Sequence, residues 1–173
     1  MRTLETTGFV RRDDARTYRP GSRVIQLGAQ ALSDESLVDL SRPAMEELAT
    51  ETGESVYLSV EGHAATAVYI SIVEGTHSVR HASWVGRTVG LDTSAAGQAL
   101  RGKVSEDGYV VVERGVESDV TAIACPVRSQ DRITAAMSLV VPSYRLTARL
   151  TTRYGRRLAA ATADVSAQLS SSR

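Results

Sequence analysis

The sequence predicts an α+β fold, in which an antiparallel sheet with helices packed on it follows a linker helix and a short β-hairpin. Apolar residues recur with the helical period of 3.6 near both ends of the chain, and β-branched residues alternate with polar ones between them. Strands gathered between helices, rather than alternating with them one by one, are typical of the α+β class. The length of 173 residues and a hydrophobic content of 42% suffice to bury one core.

The first 34 residues are expected to form a short helix, a β-hairpin and a linker helix. Gly8 is expected to end a helix over residues 3–7, because glycine is common just past a helix C-terminus. Two alternating segments, 9–12 and 16–19, flank turn-forming aspartates and predict a hairpin. Ser22 can cap a linker helix over residues 22–34. This segment is too small to bury a core of its own.

Residues 35–173 are expected to form the main domain. The helical period continues from Glu35 to Thr52, with Pro43 expected at a first turn or a kink. A small-residue stretch over 93–101 predicts a short helix capped by Asp92 or Thr93, and a long amphipathic helix is predicted over 147–169. The predicted strands are 55–60, 66–73, 78–81, 109–112, 121–127 and 133–141, the last two joined by a turn over 128–132.

The charges are unevenly distributed along the chain. Twenty basic and twenty acidic residues give a formal net charge of zero, yet residues 1–23 carry +3 and the remainder therefore carries −3. Lys103 is the only lysine, so nearly every cation is a guanidinium, which suits phosphate contacts but also occurs as a general compositional bias. The zero average by itself therefore does not exclude nucleic-acid binding.

Neither catalysis nor metal binding is predicted. The three histidines, His63, His77 and His81, have spacings of 14 and 4, which match no chelating pattern. No glycine-flanked elbow presents a serine or the single cysteine, Cys125, as a nucleophile. We therefore expect no enzyme, metal or cofactor. We also expect no membrane segment and a cytoplasmic protein, since neither a spanning segment nor a signal peptide is evident.

The stretch Thr93–Gly97 leaves two interpretations open. Free N–H groups at the start of a helix can hold a carboxylate, and small side chains let a ligand approach. The same residues could instead only permit close packing of the helix on the sheet.

The order of motifs resembles the IclR family of bacterial transcriptional regulators. The matching blocks are Arg2–Glu5, Gly8–Asp13, Tyr18–Gly21, Leu27–Gly28, Leu48–Glu54, Val79–Arg80, Val85–Gly86, Thr93–Ala99 with Gln98 in place of a lysine, Ile123–Val127, and Ala135–Ser138 with Pro142. Together they extend over essentially the whole chain.

This resemblance implies three segments and several partners. Residues 1–21 would be the remnant of a winged helix-turn-helix (the end of the recognition helix and the wing), 22–34 the linker helix, and 35–173 a GAF-like or PAS-like effector-binding domain. It implies operator DNA in the intact protein, a small-molecule effector and a homodimer or homotetramer as partners. The wing arginines implied to touch DNA are Arg11, Arg12, Arg16 and Arg19.

The resemblance also implies a pocket for a small carboxylate effector. Its positions in this chain are His81, Val89, Ala95, Ala96, Gly97, Val120, Ala122, Ser138 and Val140. Ala122 and Val140 stand where family members often have polar residues, so we expect a fairly apolar effector. The segment Leu100–Asp107 is shorter than the family usually has, which could remove part of the pocket cover.

Two functions remain open. The first is a transcriptional regulator of the IclR type whose effector controls DNA binding. The alternative is a stand-alone ligand-sensing or dimerisation module without its own DNA reader, because the chain starts inside the recognition helix. The effector, the operator and the sign of regulation are not predicted.

Overall fold

The computed structural model describes residues 2–13, 17–34, 37–80 and 84–171, with the backbone alone described for 29–34. These residues form two compact units, Met1–Leu37 and Val38–Arg173.

The first unit contains the predicted short elements. They are α1 (Arg2–Thr6), β1 (Val10–Arg12), β2 (Tyr18–Pro20) and α2 (Ser22–Asp34). Gly8 follows α1 at φ +76°, a left-handed conformation that favours glycine. The strands pair antiparallel, with Arg11 opposite Arg19 and Arg12 opposite Tyr18. The predicted helix end and hairpin are therefore confirmed.

The second unit is a six-stranded antiparallel sheet with three α-helices. Its elements are α3 (Leu37–Thr52), β3 (Ser55–Glu61), β4 (Thr66–Val73), β5 (Thr88–Gly90), α4 (Ala95–Leu100), β6 (Val110–Glu113), β7 (Val120–Ser129), β8 (Arg132–Pro142), a 3-10 turn (Ser143–Arg145) and α5 (Ala148–Ser171). The strand order is β5-β4-β3-β8-β7-β6. The sequence-adjacent pairs β3–β4 and β7–β8 are the predicted hairpins, while β3 and β8 join them at the centre.

Helices cover both faces of this sheet. On one face, α4 packs through Ala95 and Ala99 against Ala124 and Ala136. On the other face, the Cys125 thiol reaches Thr162 in α5. Helix α3 packs beside α5, where the Tyr154 hydroxyl donates to the Thr52 carbonyl at 3.4 Å and Arg157 bonds Glu47 and Glu51. Side chains alternate between the two faces of a strand. The consecutive β7 residues Ala124 and Cys125 therefore pack towards different helices, α4 and α5.

The predicted strand over 78–81 is wrong for its described part. Residues 78 and 79 form bends, residue 80 is irregular, and the strand that pairs with the edge of β4 is β5 instead. The cause is an ion pair that the sequence pattern did not indicate: Glu54 is 1% exposed and accepts two hydrogen bonds from Arg145, at 2.9 and 3.0 Å. Arg145 also donates to the Val79 carbonyl at 2.7 Å, which ties that carbonyl to a side chain rather than to a neighbouring strand.

Candidate functional site

Helix α4 begins at a capping residue that the sequence did not predict. Ser94, rather than Asp92 or Thr93, is the N-cap, with an extended backbone at φ −107° and ψ 152°. Its hydroxyl donates to the Gly90 carbonyl at 2.7 Å and accepts from the Gly97 N–H at 3.1 Å. Asp92 instead bonds Lys103, whose hydrogen bond is the main cause that lowers the pKa of the Asp92 carboxyl.

Gly97 holds α4 close to the chain that precedes it. A Cβ at this position would lie 2.3 Å from the Leu91 Cα and 2.4 Å from the Leu91 carbonyl oxygen. Gly97 also donates its N–H to the Ser94 hydroxyl. Gly97 therefore permits close packing against Leu91 and takes part in the helix cap. This agrees with the packing interpretation of the small-residue stretch at Gly97.

A cavity of about 30 Å³ lies between α4, the sheet and the β6–β7 loop over residues 114–119. That is room for one or two water molecules, so a larger ligand requires the walls to separate. The lining residues are Tyr69, Ser94, Ala95, Ala96, Val112, Gly115, Val116, Glu117, Val120, Ala122, Ser138 and Val140. Six of the nine predicted effector positions are thus in one place: Ala95, Ala96, Val120, Ala122, Ser138 and Val140.

The other three predicted positions have different locations. Val89 is buried and does not line the cavity, but it belongs to a hydrophobic cluster that includes the lining residues Tyr69, Ala96 and Val140. Gly97 packs on Leu91 as described, and it does not line the cavity. His81 lies outside the described residues.

Ser138 is the polar group that the cavity leaves without a partner. Ser138 is 1% exposed, and its hydroxyl oxygen has no hydrogen-bond partner among the residues that the structure describes. A buried hydroxyl without a partner lowers stability, because it has lost water and gained nothing in exchange. Its position in the cavity wall makes it available to a ligand.

The loop over residues 114–119 lines the cavity through Gly115, Val116 and Glu117, which the sequence pattern did not indicate. Arg114 has φ +54° and donates its N–H to the Val120 carbonyl at 2.9 Å, which turns the chain back towards β7. Gly115 approaches the segment just before α4 closely, since a Cβ there would lie 2.5 Å from the Thr93 carbonyl oxygen. The nearest sequence signal was Gly115 itself, between two predicted strands.

The loop also brings a carboxylate into the cavity wall. Glu117 is partly buried and lines the cavity beside Tyr69. Burial raises the pKa of Tyr69 to about 12, and the Glu117 charge contributes to that rise. The ring of Tyr57 packs on that of Tyr69 at 4.7 Å between centroids, and its pKa is also raised, chiefly by burial. Both tyrosines are therefore neutral phenols at physiological pH.

Three of the predicted wing arginines, Arg11, Arg12 and Arg19, lie in the first unit on the β1–β2 hairpin. Arg11 and Arg19 are cross-strand neighbours and share one face, while Arg12 shares the other with Tyr18 and lies 6.0 Å from its ring centroid. Arg19 pairs with Asp13 at 2.9 Å. Arg16 lies outside the described residues.

Two observations concern other kinds of site. Among the described residues, no group of three or more His, Cys, Asp or Glu side chains is arranged to hold a metal ion. Within the same ranges, no helix is long and apolar enough to cross a bilayer.

The sequence matches one family of known proteins over most of its length. That family is described as "Bacterial transcriptional regulator IclR C-terminal" and matches residues 29–103 and 101–167. The chain is similar to the HTH-type transcriptional regulator KipR of Bacillus subtilis, with 30% identity over 99 residues, which is 57% of this chain and 39% of KipR. It is 27% identical over 109 residues to the transcriptional repressor IclR of Escherichia coli, covering 62% of this chain and 40% of that repressor. The matched segment is thus about two fifths of either regulator.

A solved structure shares the fold over nearly the whole chain. The crystal structure of an IclR-type regulator from Silicibacter sp. TM1040 superposes with a TM-score of 0.86, covering 98% of this chain and 81% of that one. Its sequence identity is 19%, so this likeness shows the fold and nothing finer. The expected antiparallel sheet with packed helices is confirmed.

Proposed function

The chain belongs to the IclR family of bacterial transcriptional regulators, and on that premise we propose that its second unit binds a small effector in the cavity beneath α4. One observation carries the proposal: the unpartnered Ser138 hydroxyl is buried in the wall of that cavity, beside five other positions at which family members are expected to contact their effectors.

We further propose that the effector is largely apolar. Most of the lining side chains are valine, alanine or tyrosine, and Ala122 and Val140 offer no polar contact. Burial of apolar ligand surface is therefore the main favourable contribution to binding. Because the free volume is about 30 Å³, the 114–119 loop or α4 must move outward to admit a drug-sized molecule.

The carboxylate headgroup predicted from the sequence has mixed support. The N–H groups of Ala95 and Ala96 lie in the first turn of α4, where helix N–H groups lack helical acceptors, and both residues line the cavity. Gly97 is not available, since its N–H donates to Ser94. Glu117 lines the same wall, and its side chain offers no hydrogen-bond donor to a ligand carboxylate when it is a carboxylate itself.

The first unit is proposed to contact DNA, and the effector to control that contact. The exposed Arg11, Arg12 and Arg19 on the hairpin suit phosphate contacts, which position a protein without reading bases. Such contacts would make affinity fall with salt. Assembly into a homodimer or homotetramer is part of the same proposal. A ligand-sensing module that acts by pairing with another regulator remains the alternative, favoured if no salt-dependent DNA affinity is found.

Melting-temperature shifts with two ligand sets test the proposed cavity. One set contains small polar acids such as glyoxylate and pyruvate, and the other aromatic and aliphatic compounds of similar size. We expect shifts with members of the apolar set, since a ligand that binds only the folded state stabilises it. Shifts confined to the small polar acids would contradict the proposed apolar effector.

A matched pair of variants tests whether the ligand binds in this cavity. Ala122→Leu adds bulk to the cavity wall and should abolish the shifts, whereas Ala163→Leu adds the same bulk to an exposed position on α5 and should retain them. Equal shifts in both variants would place binding elsewhere.

A further inference from the structure

Two side chains that carry a hydroxyl lie close together in the wall of the cavity beneath α4. Ser138 lines the cavity from β8 and Tyr69 lines it from β4, and they are 1% and 7% exposed. Tyr57 connects the two positions, since it lies opposite Ser138 in the β3–β8 ladder and its ring packs on that of Tyr69 at 4.7 Å between centroids. Ser138 and Tyr69 therefore belong to one region of the wall.

Each of these two side chains keeps a proton that it can donate. The Ser138 hydroxyl has no hydrogen-bond partner among the described residues, so it is not bonded to Tyr69. Burial and the Glu117 charge raise the pKa of Tyr69 to about 12, and no hydrogen bond contributes to that rise. Tyr69 is thus a protonated phenol at neutral pH. The wall presents two hydroxyl donors that do not satisfy each other.

The other polar side chains of the described wall leave this pair as the contact for a headgroup. The Ser94 hydroxyl already donates to the Gly90 carbonyl and accepts from the Gly97 N–H. Glu117 also lines the wall, but it has no part in this proposal. None of the twelve described lining residues is Lys, Arg or His, so they supply no cation to compensate a ligand carboxylate for its lost hydration.

A carbonyl oxygen is the ligand group that matches two donors. It has two lone pairs and no proton of its own, so it can accept from both hydroxyls at once. An alcohol in the same place adds a third O–H, and one buried donor then lacks an acceptor, which is costly. An ammonium group only donates and therefore accepts from neither hydroxyl.

We propose that the Tyr69 and Ser138 hydroxyls together bind the carbonyl oxygen of a neutral effector, such as a ketone or an ester on an apolar body. This inference rests on the proposed function, because it takes the cavity as the effector site. It makes Tyr69, which was not among the positions implied by the family resemblance, a residue that determines specificity.

The test compares headgroups on two constant bodies. The aromatic probes are acetophenone, phenylethanol, phenylethylamine, phenylacetic acid and the parent hydrocarbon ethylbenzene, and the second series carries the same five endings on a cyclohexyl ring. Affinities for the full chain are measured by ligand-observed NMR at neutral pH. We expect the ketone to bind most tightly in each series, about fivefold or more above the hydrocarbon.

Four variants assign the effect to its residues. Tyr69→Phe and Ser138→Ala each remove one donor, so each should weaken ketone binding by about fivefold without weakening the hydrocarbon. Retained hydrocarbon binding also shows that the cavity is still folded. Tyr18→Phe removes the same hydroxyl from an exposed tyrosine on β2 of the first unit, and it should change neither affinity. Ala122→Leu fills the cavity and should abolish binding of every probe.

The failure of this inference is distinguishable from the failure of the proposed function. If another headgroup binds most tightly, or if Tyr69→Phe or Ser138→Ala leaves the advantage of the ketone intact, the carbonyl contact is overturned. The proposed cavity then still stands, provided that Ala122→Leu abolishes the binding observed. If no probe binds in a way that Ala122→Leu abolishes, both the carbonyl contact and the proposed effector site are overturned.

Discussion

Replacing Ser138 by alanine is expected to stabilise the protein without ligand. Ser138 is 1% exposed and its hydroxyl has no partner in the described part of the chain, and such a group lowers stability by about 1–3 kcal/mol. Removing one oxygen loses a few dispersion contacts, which offset part of that gain. The net expectation is a rise of about 1 kcal/mol in the free energy of unfolding, or roughly 2–4 °C in the melting temperature. Urea denaturation measures it directly.

Ser59 provides the matched control for this substitution. It is fully buried in the neighbouring strand β3, but its hydroxyl donates to the Ala136 carbonyl at 3.2 Å. Ser59→Ala should therefore lower the free energy of unfolding by about 1 kcal/mol, opposite in sign to Ser138→Ala. If Ser138→Ala is as destabilising as Ser59→Ala, the Ser138 hydroxyl is satisfied in the folded protein and the reasoning that makes it a ligand contact is refuted.

Three further outcomes are expected. Glu54→Gln should lower the free energy of unfolding by about 2 kcal/mol in urea, because it weakens the bidentate pair with the partly exposed Arg145. Gly97→Ala should lower it by roughly 2–3 kcal/mol, because a Cβ would meet the Leu91 backbone at 2.3 Å and force a shift. The pKa of Tyr69 is raised from 10.0 to about 12, so the folded state holds its proton longer than the unfolded state; its full contribution is present below pH 10 and is lost as the pH rises towards 12. Stability should therefore fall across pH 10–12, and Tyr69→Phe should make that fall shallower.

Each of these outcomes has a control or a contradicting result. Glu46→Gln breaks an exposed pair at 3.6 Å from Arg42, so it should change stability by less than about 0.5 kcal/mol. Gly28 in α2 has no atom of the described residues within 4 Å of an added Cβ, and Gly28→Ala should raise helicity, in contrast to Gly97→Ala. Absorbance titration of the phenols reads the tyrosines directly, and complete ionisation of all six near pH 10 would contradict the raised pKa of Tyr69.

Local sequence patterns were sufficient to predict most of the helices and strands. The strands β4 and β8 follow from residue alternation, and α5 follows from the 3.6-residue period, because each pattern depends on neighbours in the chain. The error at residues 78–80 has a different origin. Their backbone conformation depends on Arg145, 66 positions away in the sequence from Val79, and no local pattern contains that contact.

The sequence likewise indicated some residues of the candidate site and not others. The resemblance located six residues that line the cavity, since matching motifs in the right order carry the positions of family members with them. It did not indicate Glu117 or Gly115, which lie outside the matching blocks in the β6–β7 loop.

The sequence by itself determined the family, the order of helices and strands, and the small, apolar character of the positions beneath α4. These properties follow from residue type and spacing along the chain. Only the tertiary structure decided which groups face each other: that Ser138 is buried without a partner, that Gly97 packs on Leu91 rather than lining the cavity, and that Glu117 brings a negative charge to its wall. Hydrogen bonding and electrostatics depend on distances of a few ångströms between residues far apart in the chain, and the fold alone sets those distances.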